Sequence, residues 1–506
     1  LSSGGGHWHE DGSKEGQPFP LNSLHPDKLG AFGVPLTKEG VKYEDTLYFK
    51  RAGYPAKRPW YPFTSNVYQE IIPAAADGYP YPINVLFIHK GTPAYASPTG
   101  NPVIEALRNP KVIPLVIGCD IVVAESTMYC DYLFPDTSIW ERWGTPHTTP
   151  AIQTMVSKVR QPMVEPIVEK VRVFGEVMPI SMEAIMLAIA ERLGLPGYGE
   201  DGFGSRLDFT RPEDYYLKMV ANIAFGDKPD LKDAVPEADE IELAVFRKAR
   251  RHLSPDSFDE GRWKKAIGND ESLWRRVVYV LNRGGRFEEF AKGYAGDKMG
   301  HAFRGQFNVF VERVAKGRHS LTGEPFSGLP LYDLAREADG KVISDPGFDF
   351  HLITFKEIIG GQSRTIGNYW TQYSLGAENN VLLNRADMAR LGLQDGDRVK
   401  IVSATNPEGV WELGNGQHVE VSGNARAMEG IRPGTVAVSW HYGHWAYGAG
   451  DVFVDGVRVA GDPRRGQGLC PNAVMRQDTS LGNICLTDPI GGSASFYDTK
   501  VRLVRA

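Results

Sequence analysis

Thr354-Phe355-Lys356-Glu357-Ile358-Ile359-Gly360-Gly361-Gln362-Ser363-Arg364-Thr365 opens the stretch that decides the fold. Asn380-Val381-Leu382-Leu383-Asn384-Arg385-Ala386-Asp387 follows, then Leu391-Gly392-Leu393-Gln394-Asp395-Gly396-Asp397-Arg398-Val399, and a closing Asp488-Pro489-Ile490-Gly491-Gly492. Short β runs alternate here with Gly-rich polar turns. Gly396-Asp397 precedes Arg398 to Val402, and Arg432-Pro433-Gly434 precedes Thr435 to Trp440. From 345 to 506 the pattern predicts a closed barrel of short strands. Thr354, Lys356, Gly361, Gln362, Ser363, Arg364, Thr365 and Asn368 place a Gly-Gly turn, two cations and several amide or hydroxyl donors within fifteen residues. A pyrophosphate needs such a set, because flexible backbone and forked guanidinium donors both match its oxygens. A plain polar hairpin is the alternative.

Upstream, residues 81–210 read as α/β. Asn84 to His89 is a buried-type strand, Gly91-Thr92-Pro93 a turn, Pro102 to Arg108 a helix and Val112 to Ile117 a second strand. Strand, turn, helix, strand is the parallel-sheet unit, and ligands sit at the carboxyl ends of its strands. That makes Gly91, Thr92, Pro93, Asp120, Glu125, Ser126 and Asp131 candidate binding residues. The competing reading is that the carboxylates only cap the next helix. Met182, Ile185, Met186, Ile189 and Leu193 mark the expected inner face of a later helix, with Ser181 as cap and Gly194 as stop. Residues 211–344 read as a charged helical insertion, clearest over Ile241 to His252 and Trp274 to Leu281. Asn282-Arg283-Gly284-Gly285-Arg286 interrupts it, as a helix stop or as a loop turned toward an anion. Residues 1–80 are Gly-, Pro- and aromatic-rich and form an irregular segment.

Composition narrows the function classes. The chain has 506 residues and a net charge of −6, so bulk electrostatics give no case for nucleic acid or an anionic membrane. The longest apolar runs are strand-length, so no membrane span is expected. Cys119, Cys130, Cys470 and Cys485 form no CxxC pair and read as buried free thiols. Gly4-Gly5-Gly6-His7-Trp8-His9 reads as a polar loop rather than a metal site, and no metal ligand set is expected. In His441-Tyr442-Gly443-His444-Trp445 the histidines at i, i+3 lack a nearby carboxylate or thiolate, leaving hydrogen bonding to a ligand or packing as their roles. The chain begins at Leu1, with its first methionine at 128, and reads as a processed or partial piece of a longer polypeptide, so that any export signal would lie upstream.

Taken together, these stretches resemble the molybdopterin oxidoreductases of the dimethyl-sulfoxide-reductase family. Val85 to Pro98 resembles that family's strand and Gly-Ala-Asn-Pro loop, with Thr92 where asparagine is usual. Cys119 to Pro135 and Glu141-Arg142-Trp143-Gly144 resemble its following segments. The C-terminal third resembles its pterin-binding barrel of double-psi type, and Asn472 falls where the family places a cofactor-contacting asparagine. Val280 to Phe287, His444 to Gly448 and Asp488 to Thr499 are most similar to tetrathionate reductase catalytic subunits. Thiosulfate, polysulfide and arsenate reductases are close relatives.

The resemblance implies a bis-molybdopterin guanine dinucleotide with molybdenum or tungsten. The cofactor contacts would come from the two candidate groups above together with His441, Gly443, His444 and Asn472. It implies reduction of a small anionic sulfur substrate, with tetrathionate to thiosulfate the first expectation. Arg142, Arg283, Arg286, His441 and His444 are the candidate substrate-funnel or catalytic residues. It further implies an iron–sulfur cluster in an N-terminal half, with a membrane anchor and an iron–sulfur electron-transfer subunit as partners. A periplasmic or extracytoplasmic location follows from the same resemblance. On that expectation this chain does not catalyse alone. A non-catalytic pterin-binding scaffold and a nucleotide-binding transferase built on 81–210 are the competing readings.

Overall fold

The computed structural model describes residues 5–21, 38–64, 67–98, 100–145, 152–303, 305–358, 365–414 and 416–506. Its contacts divide the chain into two compact units. One comprises Leu1–Leu29 with Phe134–Phe307, the other Gly30–Leu133 with Asn308–Ala506. The expected α/β segment 81–210 is therefore shared between the units, as is the expected insertion 211–344.

The second unit opens with an irregular segment and continues into the α/β layer. Strand β1 (Val85–His89) leads through Thr92 into α1 (Pro93–Ala96), then α2 (Gly100–Leu107) and strand β2 (Leu115–Asp120). β1 and β2 pair in parallel, from Val85↔Leu115 to His89↔Cys119. The second strand starts three residues later than its apolar run. Val112 and Ile113 instead sit in a turn, where both amides donate to the Asn109 carbonyl.

The first unit is mainly helical: α3 (Met182–Leu193), α4 (Pro212–Phe225), α5 (Glu240–Arg250), α6 (Glu260–Ala266) and α7 (Glu271–Arg283). Caps set the helix starts. Ser181, Asp239, Asp259 and Asp270 each accept a hydrogen bond from an amide in the first turn. The α7 face Trp274, Val277, Val278 and Leu281 packs into a core with Phe246, Trp263, Leu217 and Val220. Helix α3 buries a different face from that expected, with Met182 and Ile185 half-buried at its edge. Ala184, Leu187 and Ala190 point inward, whereas Met186 is 38%, Ile189 41% and Leu193 67% exposed. Both sets share the helical spacing. The small alanines let the helix lie close on Val173 and Met178, which form one cluster with Ala184 and Leu187. Beyond α7, Gly284 adopts the left-handed cap conformation. Strand β3 (Val156–Lys158) then pairs antiparallel with β4 (Gly285–Phe287), so the interruption at 282–286 is a helix stop running into a strand.

The barrel completes the second unit. Its strands are β5 (Phe350–Phe355), β6 (Asn380–Leu383), β7 (Arg398–Ser403), β8 (Ser422–Ala427), β9 (Thr435–Ser439) and β10 (Lys500–Arg505). They close in the order β5-β9-β6-β8-β7-β10. β5 with β9 and β6 with β8 run parallel, and the other pairs run antiparallel. Burial alternates along β5, with Phe350, Leu352 and Thr354 inward. One hydrophobic core joins barrel and α/β layer, running from Ile88, Ile104 and Val116 to Leu352, Val381, Ile401, Trp411 and Val436. That shared core fixes the position of the candidate site, which lies wholly in this unit.

Candidate functional site

Because β5 and β9 are parallel, with Thr354 opposite Val438 and Phe355 opposite Ser439, their carboxyl ends lie together at one end of the barrel. Thr354 occupies an inward position at that end, and its Oγ1 is buried with no hydrogen-bond partner. The chain leaving β9 then forms the loop 440–450. In it Trp440 Nε1, His441 Nε2 and His444 Nε2 are likewise buried without a partner, and so is Asn472 Oδ1.

His441 takes φ +77, a conformation strained for a side-chain-bearing residue. Burial, then the charges of Lys356 and His444, push its pKa down to about 4, so the ring is neutral at neutral pH. Gly443 has φ +71, and a Cβ there would stand 2.9 Å from Leu469 Cα and 3.0 Å from Cys470 N. Only glycine fits that crossing of two backbones.

Several contacts tie the α/β layer to this loop and to the neighbouring Asn472. Glu125 Oε1 lies 2.7 Å from His444 Nδ1. Tyr95 stacks its ring on His444 at 4.4 Å and donates its hydroxyl to the Tyr442 carbonyl at 2.7 Å. Asn472 donates its amide to the carbonyls of Tyr95 and Ala96. Burial alone pushes Glu125 upward, but the charge and hydrogen bond of His444 outweigh it and hold the carboxyl below its usual range.

The other expected residues have varied positions. Ser126 Oγ accepts from the Ala94 amide at 2.9 Å, tying down the turn of Thr92 and Pro93. Thr92 is buried, and its carbonyl accepts from Tyr95 and Ala96. A Cβ at Gly91 would meet nothing closer than 3.8 Å. Asp120 is buried at the end of β2 and accepts from the Ile121 amide at 2.7 Å. Asp131 accepts from the Val116 amide at 2.8 Å, and Asn368 caps the helix α8 (Tyr369–Leu375). Lys356 lies just past β5, near enough to act on His441. Thr365 is described, whereas Gly361, Gln362, Ser363 and Arg364 lie outside the described residues.

The three candidate arginines belong to the first unit, and each is committed to a carboxylate. Arg142 pairs with Asp136 at 3.2 Å and with Glu183, beside a cavity of about 60 Å³ that Arg211 and Tyr216 also line. Arg283 pairs with Glu242 at 2.6 Å and lies over the Tyr279 ring. Arg286 pairs with Asp233 at 2.9 Å and lies over Trp8. His9 pairs with Asp227 at 2.9 Å. Cys119, Cys470 and Cys485 are buried thiols, and burial pushes Cys470 and Cys485 up to about 12. Among the described residues no group of three or more His, Cys, Asp or Glu side chains is placed to hold a metal ion, and no helix is long and apolar enough to cross a membrane.

Tyr95, Tyr442 and Cys470 are site residues that sequence reasoning missed. Their contacts join positions hundreds of residues apart, and no spacing signals them. Buried polar atoms without partners carry a penalty of about 1–3 kcal/mol each, and native proteins rarely leave several together. Thr354, Trp440, His441, His444 and Asn472 therefore fit a polar ligand rich in hydrogen-bonding atoms, as a pterin is.

Comparison with known proteins bears on the class of the chain. Residues 350–497 match the molydopterin dinucleotide binding domain. A selenate reductase subunit from Mesobacillus selenatarsenatis is 46% identical across 100% of this chain and 48% of its own length. A tetrathionate reductase subunit from Salmonella typhimurium is 31% identical over 96% of this chain and 45% of its own length. The arsenate respiratory reductase molybdopterin-containing subunit of a Shewanella species is 24% identical over 86% of this chain and 47% of its own length. The chain is homologous over its length to molybdopterin oxidoreductases, and its barrel region matches their dinucleotide-binding domain, which fits bis-molybdopterin guanine dinucleotide with molybdenum. It spans about half the length of the curated relatives it matches.

Proposed function

We propose that the chain is the barrel-bearing part of the catalytic subunit of a molybdenum bis-pterin reductase that acts on a small chalcogen anion. Selenate is the substrate favoured. The observation that carries this is 46% identity to a selenate reductase subunit over the whole chain, against 31% for the tetrathionate enzyme. The reaction would add two electrons and two protons to selenate, giving selenite and water. Tetrathionate, taking two electrons to give two thiosulfates, is the second reading, supported by the stretches around 280–287, 444–448 and 488–499.

On this reading the bound metallopterin supplies the two-electron chemistry. Thr354, Trp440, His441, His444 and Asn472 offer it donors and acceptors from the mouth of the barrel, which we take to be of double-psi type. Lys356 adds positive charge favourable to an anion. The remaining half of the protein would bring an iron–sulfur cluster. A membrane anchor and an iron–sulfur subunit would be the electron-transfer partners, on the extracytoplasmic face. These expectations are tested by the iron and sulfide content of the full-length protein, by co-purification and by cell fractionation.

The function is tested by assaying the full-length protein, purified anaerobically, with a reduced viologen dye and selenate, tetrathionate, thiosulfate and arsenate in turn. Selenate turnover with the highest kcat/KM supports the proposal. Preference for tetrathionate selects the second reading. Absence of turnover with all four anions by a molybdenum-loaded preparation rejects both.

A further inference from the structure

The Glu125–His444 pair is built more elaborately than a link between barrel and α/β layer needs. Both side chains are 1% exposed. The carboxylate holds one edge of the ring at 2.7 Å, and the Ala446 amide donates to the same Oε1 at 3.3 Å. Tyr95 and Tyr447 both stack on the ring, at 4.4 and 5.3 Å between centroids. An ionised carboxylate only accepts, so Nδ1 carries a proton and the ring cannot turn over without breaking that bond. Nε2 is then its one remaining polar atom, buried and unpartnered. Glu125 has no Lys or Arg ion partner among the described residues, and its Oε2 makes no hydrogen bond.

We propose that Glu125 is a positioning residue that acts through His444, fixing the imidazole so that Nε2 is the atom presented to the pterin. This rests on the cofactor reading above. A carboxylate behind a histidine is the usual way to set both tautomer and ring direction where the far nitrogen must meet a ligand. The titratable groups facing the pair do not compete for its proton near neutrality. Burial raises Tyr95, Tyr129 and Cys470, and His441 is held neutral. The sequence pattern groups Glu125 with direct cofactor contacts. The geometry points it at the histidine instead.

The test uses the full-length, cofactor-loaded protein with E125Q, H444Q and the double variant. Its readouts are the Mo(V) electron paramagnetic resonance signal, the Mo(V)/Mo(IV) potential and the pterin content. E125Q and H444Q are expected to shift the Mo(V)/Mo(IV) equilibrium in the same direction by about tenfold, which is about 59 mV for one electron. The double variant shifts it no further than H444Q, and E125Q alone keeps its pterin content within about twofold of wild type. An E125Q protein with the wild-type signal and potential overturns the proposal, and so does an additive double variant. Should E125Q fail to accumulate, E125D keeps the charge but withdraws it from the ring. A smaller shift in the same direction supports the proposal, and an unmoved potential overturns it. A wild-type protein without molybdenum and pterin overturns the cofactor reading itself, which is a different result from a loaded enzyme that ignores Glu125.

Discussion

Asn472 and Tyr95, 377 positions apart, are joined by a buried hydrogen bond of 2.9 Å from the asparagine amide to the tyrosine carbonyl, with a second to Ala96 at 3.1 Å. These two bonds fasten the turn after β1 to the barrel. Asn472→Ala removes both, taking a partner from one buried and one partly buried carbonyl. The expected loss is about 2–4 kcal/mol of stability, read as a lower thermal midpoint of the full-length protein. An unchanged midpoint would mean that barrel and α/β layer do not depend on this link.

His441 makes the fold acid-sensitive in a defined window. Burial, with Lys356 and His444, depresses its folded pKa to about 4 from an ordinary value of 6.5. The unfolded chain therefore binds more protons between these values, so stability rises with pH there. The contribution is fully present above about 6.5 and is lost as pH falls toward about 4. It amounts to about 3 kcal/mol. His441→Asn tolerates the positive φ and does not titrate. Its stability should fall less steeply than wild type between pH 6.5 and 4 in denaturant titrations, and parallel curves would show that His441 is not the group responsible.

A buried ionic cluster braces the irregular N-terminal part of the barrel-bearing unit. Glu70 accepts from Lys38 at 3.1 Å and from Arg58 at 2.6 and 2.9 Å, with all three side chains at most 2% exposed. Burial drives the Lys38 pKa down, and Glu70 offsets only part of that. Glu70→Gln would leave two buried cations facing each other, a loss of about 3–5 kcal/mol. Little soluble protein is expected on expression. Lys38→Met, which removes a cation instead, should be tolerated far better, and equal yields for the two variants would contradict this ordering.

Gly443→Ala places a Cβ against the backbone of Leu469 and Cys470 at a positive φ. Strain of about 1–3 kcal/mol is expected. Because this loop carries His441 and His444, pterin content should fall together with the melting temperature. A variant that melts lower yet retains full pterin would separate the loop from cofactor binding.

The sequence pattern exposed some of this architecture and hid the rest for identifiable reasons. The strands of the barrel were legible because Gly396-Asp397 and Arg432-Pro433-Gly434 punctuate them. Helices α5 and α7 were legible from their charged and apolar residues at helical spacing. The burial of α3 was not, since Ala184, Leu187 and Ala190 share the spacing of the larger Met186, Ile189 and Leu193. The sequence singled out His441 and His444, and the resemblance Asn472, but the partner of His444 was visible in neither. Glu125 lies 319 positions away, and only the folding of the α/β layer onto the barrel brings it there. The candidate arginines drew attention by charge, and charge does not reveal that Asp136, Glu242 and Asp233 already engage them.

The central claim, that the unit built from the barrel and the α/β layer holds a metallopterin, is tested most directly by metal analysis and pterin release on the full-length protein expressed anaerobically with molybdate. The account predicts about one molybdenum and two pterin guanine dinucleotides per polypeptide, as in the bis-pterin family, with pterin lost in Gly443→Ala. A well-folded full-length protein free of molybdenum, tungsten and pterin would contradict it.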